Sequence, residues 1–538
     1  MNLVVSVSRQ PEWKFVFKKI EDKYGWVPKY WITYEENHQD ITQAFPEAIT
    51  HSRLEISRGI PEKTLEHLMY DSLNEKELFA LDSFLPTALE IIDRVDLDTS
   101  LSFSQRIRLI HKMYAYWGNI INLFNIDCAV FNVSPHSLGD YILYATMKIR
   151  DKKTIFFQGT PVNNIHFLCT DIDKLPDNLI LTYKKILNEE ISVELAEPVL
   201  NSISIIKSAR SDYKPWYVSD ANIRDKKHQN IVDLIQNNIH RKLRYTLRFD
   251  PKKPIFIGGS NGYKNICDEN AEPVRKKRSK NVDRELPRLF KVPGRPLQSK
   301  MITLREYQDY RDWALTRKIE LREEYAKICE PAPRGREFVY FAMHYQPERT
   351  TCPDGGIFSN QYLCVALLSK ALGDNVKIVI KEHPTQFSYT GMGELARWSG
   401  YYDDFLRLGN VHFVSSDISS VELIDKSVAV ATVTGAVGWE ALVRGKPVLH
   451  FGSAWYGACR GAYRVKSEEH IKSAIDEILD GTQHSEKDIL SYAKALQYIG
   501  EIAYTTPTVE KGVKMDGDLG LILLKLIENH EYCKNLIK

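Results

Sequence analysis

The sequence has no metal-binding cysteine pattern. Its 8 cysteines (Cys128, Cys169, Cys267, Cys329, Cys352, Cys364, Cys459 and Cys533) are scattered, and none forms a CxxC pair or a Cys/His zinc spacing. In a chain of 538 residues this usage fits reduced cytosolic thiols better than a disulfide framework. An excess of one charge is also missing: 72 Lys+Arg against 70 Asp+Glu leaves a net +2, which removes the global electrostatic case for nucleic-acid binding. No apolar run reaches the ~18–20 residues of a membrane span. The opening MNLVVSVSRQ has no basic leader and is followed by Pro11, so it reads as a first strand and not a signal peptide. P-loop, HExxH, GxSxG and kinase signatures are absent, as is any solenoid-length repeat. What remains is ordinary globular material, 43% hydrophobic and 26% charged, which excludes a disordered or low-complexity chain. These features predict a cytoplasmic enzyme or binding protein, with about two to four domains at ~100–200 residues each.

Periodicity is clearest over residues 335–505. Short apolar runs (Phe338–Met343, Val376–Ile380, VHFVS, Val428–Gly435, Pro447–Gly452) alternate with helical patterns over Phe358–Leu372, Glu394–Leu408, SSVELIDKS, Ala436–Arg444, Glu468–Leu479 and Glu486–Ala503. Repeated β–α units of this length imply a parallel sheet covered on both faces, a Rossmann-like domain. Residues 1–200 repeat the pattern more faintly. NLVVSVS, Cys128–Ser134 and Lys153–Gly159 read as strands, Ser104–Phe124 and Ser137–Ile149 as helices, with a helical insertion over about residues 50–100. Residues 201–334 read as an insertion and linker, with a strand at Pro254–Ser260, a basic run at Arg275–Lys280 and a long charged helix over Met301–Cys329. In residues 506–538, Asp518–Ile537 forms an apolar-periodic helix after Pro507; by analogy with two-domain α/β enzymes it crosses back to the first domain.

Polar residues collect at the strand ends, where open parallel sheets bind their ligands. The turn Thr432-Val433-Thr434-Gly435-Ala436-Val437-Gly438 opens a helix, and a hydroxyl and glycines there leave N–H groups open to a phosphate. Glu440, one to two turns on, suits ribose hydroxyls; an ordinary tight turn with a surface glutamate fits the same spacing. His383-Pro384 ends the second strand of this domain, where histidine suits a leaving phosphate or acts as an acid, or is simply held by a loop carbonyl. The loop after the first strand offers His344 and Gln346 for a base or sugar, the carboxylate Glu348, and Arg349 for a phosphate or carboxylate. Ser453 lies in a small-residue and aromatic segment suited to the wall of a sugar or base site. In the first domain, Ser134-Pro135-His136, Asp140 and Gln158–Pro161 sit at strand ends. His136 or Asp140 is placed to deprotonate an acceptor hydroxyl, while a turn histidine and a helix-end aspartate account for them equally well. No DxD-like pair stands at a sheet edge, and Asp403–Asp404 falls in a helical pattern read as surface, so no metal site is expected. The basic run Arg275–Lys280 reads as a solvated loop or a contact for an anionic lipid or glycan.

The order HYQPE, KEHP, TGxxGWEALxRGKPVLxFG, across about 338–465, resembles the bacterial capsule polysaccharide biosynthesis family, which includes Kdo transferases and related GT-B glycosyltransferases. The likeness is fainter at VSPHSLGDYILY. It implies an α/β, GT-B architecture: two Rossmann-like domains facing across a cleft, with helical insertions. It also implies a nucleotide-activated donor (a CMP-linked ulosonic acid or a UDP/GDP-linked sugar) on the second domain, with His383, Thr434 and Glu440 as donor contacts and Gln346 beside them. The expected acceptor is a glycan or glycolipid, no cofactor is needed beyond the nucleotide-sugar substrate, and peripheral contact with the inner membrane or with other capsule-assembly proteins is implied. The family's base has no clear match here. Polyol-phosphate transfer from a CDP-linked donor, UDP-sugar epimerisation and a non-catalytic glycan-binding or scaffold role are the rival readings.

Overall fold

The computed structural model describes residues 1–7, 13–71, 73–95, 101–213, 254–256, 301–333, 338–374, 376–388, 391–481, 484–502 and 519–529. Residues 257–260 of the expected strand Pro254–Ser260 and the basic run Arg275–Lys280 lie outside them, as do Pro507, residue 518 and residues 530–537 of the expected last helix.

The first sheet has seven strands: β1 (Asn2–Ser6), β2 (Val27–Thr33), β3 (Ile49–Ser52), β4 (Ile126–Phe131), β5 (Lys153–Gly159), β6 (Ile165–Cys169) and, from the far end of the chain, β16 (Glu501–Ile502). Their order is β16-β6-β5-β4-β1-β2-β3. The five strands from β3 to β5 are parallel, while β6 and β16 run antiparallel to their neighbours. Strands buried on both faces need apolar side chains all round, and β1 and β4 bury nearly every residue. The β5–β6 connection spans residues 160–164 and turns at Asn163 and Asn164, which have φ of 47° and 54°, with the Ile165 amide donating to the Val162 carbonyl. Asparagine tolerates this left-handed region.

A two-stranded antiparallel pair, β7 (Pro254–Phe256) with β8 (Met301–Thr303), precedes a 25-residue helix, Leu304–Ile328. The second sheet follows: β9 (Cys329–Glu330), β10 (Phe338–Ala342), β11 (Lys377–Lys381), β12 (Val411–Val414), β13 (Ala429–Thr432), β14 (Val448–His450) and β15 (Ala462–Arg464). It is parallel throughout, in the order β15-β14-β13-β10-β11-β12-β9. From β12 to β15 this is the 3-2-1-4-5-6 winding of Rossmann folds, and the first sheet repeats its 3-2-1-4-5 part. The chain is therefore two Rossmann-like lobes.

Three local expectations need correction. The helix expected over Glu394–Leu408 is only a 3₁₀ turn, Gly393–Leu395, and a single turn, Asp403–Leu406. Gly400 sits at φ 76° between them, and the side chains of Arg397 and Tyr402 turn inward to a buried carboxylate. The helix expected from Phe358 starts at Gln361, after the 3₁₀ turn Gly356–Ser359. Cys329–Glu330, read as the end of the linker, is an edge strand of the second sheet.

The chain then returns to the first lobe. After the helix Glu486–Ile499, β16 pairs with β6, and the helix Leu519–Asn529 packs on Trp13–Tyr24. Ile522, Leu523, Leu526 and Ile527 join Trp13, Val16, Phe17 and Ile20 in one core cluster. At ~1.5–3 kcal/mol for each fully buried large apolar side chain, these contacts are a substantial part of the first lobe's stability.

Candidate active site between two sheet edges

An open α/β sheet binds its ligand where the strand order reverses, because the loops on either side of that point diverge and leave a crevice. In the second lobe the reversal lies between β10 and β13. The loops there begin with His344 and with Thr432–Gly435. In the first lobe it lies between β1 and β4, which brings Ser6 beside the Ser134–Asp140 segment.

In the second lobe these loops are tightly braced. Arg397 and Glu382 form a fully buried ion pair, Nε to Oε2 2.8 Å and Nη2 to Oε1 3.1 Å. Tyr402 donates to the same carboxylate at 2.7 Å, and the His383 amide does so at 2.8 Å. The other face of the guanidinium donates to Gln346 Oε1 at 3.0 Å and to the His344 carbonyl at 3.3 Å. Gln346 is fully occupied in this scaffold. Its Nε2 donates to the Ser359 carbonyl, and its Oε1 also accepts from Gln361. The side chain expected to face a base or sugar instead fastens the loop.

His344 reaches across to the second loop. The Thr434 amide donates to its Nε2 at 3.1 Å, which leaves the ring proton on Nδ1, 3.9 Å from Glu348 Oε1. Burial pushes the imidazole pKa down to about 3 and raises that of Glu348. Thr350 donates to the Glu348 carboxylate, and the Thr434 hydroxyl donates to the Thr350 carbonyl at 2.6 Å. The Thr434 side chain therefore ties two loops together.

The glycines here make room for protein atoms. A Cβ on Gly435 would stand 2.8 Å from Thr432 Oγ1 and 3.1 Å from His344 Nε2. A Cβ on Gly438 would overlap the Tyr456 hydroxyl, which donates to the Gly435 carbonyl at 2.8 Å. What stays open is the start of the helix Ala436–Val443. The N–H groups of Gly435, Ala436 and Val437 have no backbone acceptor among the described residues, and all three residues are half-buried. The Ser453 amide donates to the Asp354 carbonyl at 3.0 Å.

Two titratable groups flank the turn. His383 Nδ1 accepts from the Thr385 hydroxyl at 2.9 Å and from the Thr385 amide at 3.3 Å, which leaves the ring proton on Nε2. Burial, then the neighbouring His344, Lys381 and Arg397, lowers its pKa to about 3. The imidazole is therefore neutral. Glu440 is buried, and desolvation lifts its carboxyl to about 7 against the pull of Lys381 and Arg444. Lys381 is itself lowered to about 8 by burial, and its ammonium donates to the Ile418 carbonyl and the Ser420 hydroxyl.

In the first lobe Asp140 is saturated. It accepts from Ser6 at 2.6 Å, Ser137 at 2.8 Å and Arg53 at 3.0 Å. A carboxylate held by three donors, one of them a guanidinium, is a brace across the reversal point. His136 differs. Its Nδ1 donates to the Ser134 carbonyl at 2.9 Å, and burial pushes its pKa to about 3, so Nε2 carries a lone pair.

The two edges meet. Ser134 donates to Asp354 at 2.7 Å, and Arg349 pairs with the other oxygen of that carboxylate at 2.8 Å. Arg94 donates to the carbonyls of His136, Glu348 and Cys352, at 3.2, 2.9 and 2.5 Å. The first lobe's edge thus touches the 348–354 loop, which stands between it and Thr434. Arg94, Arg53, Asp354 and the Glu382–Arg397 pair were not singled out from the sequence. Apart from Arg349, five residues from Asp354, their partners lie 15 to 258 residues away along the chain, and no local motif carries them. Asp403 and Asp404 sit on a surface turn, with Asp404 3.4 Å from Arg407. Among the described residues no group of His, Cys, Asp and Glu is placed to hold a metal ion, and no helix is long and apolar enough to cross a membrane. A cavity of about 300 Å³ lies at the opposite end of the helix Ala436–Val443, but its cations Lys207 and Arg444 are already paired with Glu486 and Asp425.

Residues 346–466, which contain the His383, Thr434 and Glu440 loops, match the model of the capsule polysaccharide biosynthesis protein family. Over these residues the chain is similar to that family. The capsule polysaccharide modification protein LipA of Neisseria meningitidis serogroup A is 27% identical over 153 residues, 28% of this chain, and its serogroup B counterpart is 26% identical over the same length. The match spans 20% of the length of these curated relatives. Among solved structures, the β-Kdo 2,7 transferase KpsC of Thermosulfurimonas dismutans is 16% identical and covers 35% of this chain and 57% of its own, with a TM-score of 0.22. The UDP-GlcNAc 2-epimerase of Methanocaldococcus jannaschii is 9% identical and covers 93% and 98%, with a TM-score of 0.24. Both overlays are loose. The fold is defined by the strand order of the two sheets.

Proposed function

We propose that the chain transfers a glycosyl unit from a nucleotide-activated donor to a hydroxyl of a growing capsule or surface polysaccharide. The observation that carries this reading is the open helix start at Gly435–Val437, at the reversal point of a Rossmann-like sheet and inside the capsule-family segment. Free N–H groups at a helix start favour an anion, here the donor phosphate. That phosphate is the leaving group, and negative charge grows on it as the glycosidic bond breaks. The helix amides and the neutral His383 Nε2–H supply fixed donors for this charge, so the step needs no metal. Glu440, one turn further on, accepts from the ribose. His136 Nε2, on the facing edge, takes the proton of the acceptor hydroxyl as it attacks. The donor fits a CMP-linked ulosonic acid or a UDP/GDP-linked sugar, the acceptor is a glycan or glycolipid, and no cofactor is required.

Titration calorimetry against CMP, UDP, GDP and CDP tests this reading. One nucleotide is expected to bind, and His383→Ala and Glu440→Ala each to weaken it about tenfold or more with the fold retained. Unchanged affinity in both variants would discard the donor site. Complete loss of turnover in EDTA would contradict the metal-free step.

A further inference from the structure

A second imidazole stands at the first lobe's sheet edge, and the transferase reading above gives it no role. The hairpin at Asn163–Asn164 sets His166 directly opposite Gly159 in the β5–β6 register. Its Nδ1 donates to the Asn164 carbonyl at 2.8 Å, so the lone pair is on Nε2. This repeats the arrangement of His136, whose Nδ1 donates to the carbonyl two residues before it. Gly159 leaves room for the ring, since a Cβ there would stand 2.7 Å from His166 Nε2. Neither Nε2 has a hydrogen-bond partner among the described residues. The loop carrying His136 follows β4, whose Phe131 pairs with Phe156 of β5, and His166 of β6 sits against the last residue of β5, so both imidazoles stand at the same edge of the sheet.

Arg349 faces this edge from the second lobe. It is tied to the His136 loop through Asp354 and Ser134. Only its Nη1 is engaged, and its Nη2 and Nε have no partner among the described residues. That free edge offers two parallel N–H groups, a geometry that matches the two oxygens of a carboxylate or phosphate. Its positive charge also helps to hold both imidazoles in the neutral form.

We propose that His136, His166 and Arg349 form a subsite for an anionic sugar unit of the acceptor: the two Nε2 atoms accept from sugar hydroxyls, and the free guanidinium edge donates to a carboxylate or phosphate on that sugar. The subsite rests on the transferase reading only in calling this sugar the acceptor. A neutral imidazole accepts from a hydroxyl where a protonated one cannot, so the pair selects hydroxyl donors, and the arginine adds the requirement for an anion.

The test uses the full chain without nucleotide. Diethyl pyrocarbonate acylates unprotonated imidazole nitrogens, and peptide mass spectrometry reads the rate at His136 and His166 separately. Glucose, glucuronate and glucose 6-phosphate are the competing probes. Glucuronate or glucose 6-phosphate is expected to slow acylation at both histidines by about threefold or more relative to glucose, and whichever acts identifies the anion. Arg349→Gln should erase that advantage, and Gly159→Ala should remove protection at His166. Equal protection by all three sugars, or no protection at His166 in the unaltered chain, overturns the proposal. Because no nucleotide is present, either result leaves the donor-site titrations to stand or fall separately.

Discussion

The two lobes wind their strands alike but finish their reversal points differently. In the second lobe the histidine beside the crevice, His344, has its Nε2 taken by the Thr434 amide, and the surrounding side chains are tied into the buried Arg397–Glu382 pair. What that lobe offers outward is backbone, the open amides of Gly435–Val437. In the first lobe the carboxylate is the saturated group, held by Arg53, Ser6 and Ser137, and the histidine keeps a free Nε2. That lobe offers a side-chain lone pair. One fold thus presents backbone N–H groups on one edge and a side-chain lone pair on the other, and the difference lies in which group each lobe buries.

The largest effect is expected where this contrast depends on a buried charge. Arg397→Ala leaves Glu382 without its partner in the interior, and breaking such a pair costs about 3–5 kcal/mol. Urea unfolding of the variant should show it, whereas a cost below about 1 kcal/mol would mean that the brace is dispensable. Glu440 gives the next effect. Its folded pKa of about 7 stands above the ordinary 4.5, so the native state holds the proton more tightly than the unfolded chain does. Its contribution to stability is therefore complete below about pH 4.5 and is lost as pH rises through about 7. Glu440→Gln, which cannot ionise, should match the unaltered chain near pH 4.5 and exceed it by about 2–3 kcal/mol at pH 8. Parallel stability curves for the two proteins would refute the raised value. The smallest effect is steric. Gly438→Ala should cost about 1–3 kcal/mol, and Tyr456→Phe in the same chain should recover part of it by removing the overlapping hydroxyl. If the double variant is no more stable than Gly438→Ala alone, the glycine is there for some other reason.

Sequence patterning located most of the second lobe because its strands are buried on both faces and so appear as short unbroken apolar runs. The carboxyl-edge positions of His344, His383 and Thr434 follow from the same pattern. The partners of these residues were not legible. Gln346, read as a ligand contact, is held by Ser359, Gln361 and Arg397, and only the folded chain brings these together. Asp140 meets Arg53 from 87 residues away, which turns a candidate base into a brace. The misplaced helix over Glu394–Leu408 has the same origin: its apolar spacing is helical, but Arg397 and Tyr402 are drawn inward by Glu382 and Gly400 takes a left-handed turn. His166 did leave a local trace. The Asn163-Asn164 pair marks a turn just before it, but counting back from a two-residue turn would set His166 opposite Pro161, and its pairing with Gly159 appears only in the folded chain.

The return of the chain through β16 to β6 has a mechanical consequence. The first lobe hands the chain on after the helix Glu197–Ser208, whose final carbonyls are held by Arg444 of the second lobe, and receives it again at Glu501. Together with the Ser134–Asp354 and Arg94 contacts, this double passage fastens the two lobes at several places, so parting them would break these links together.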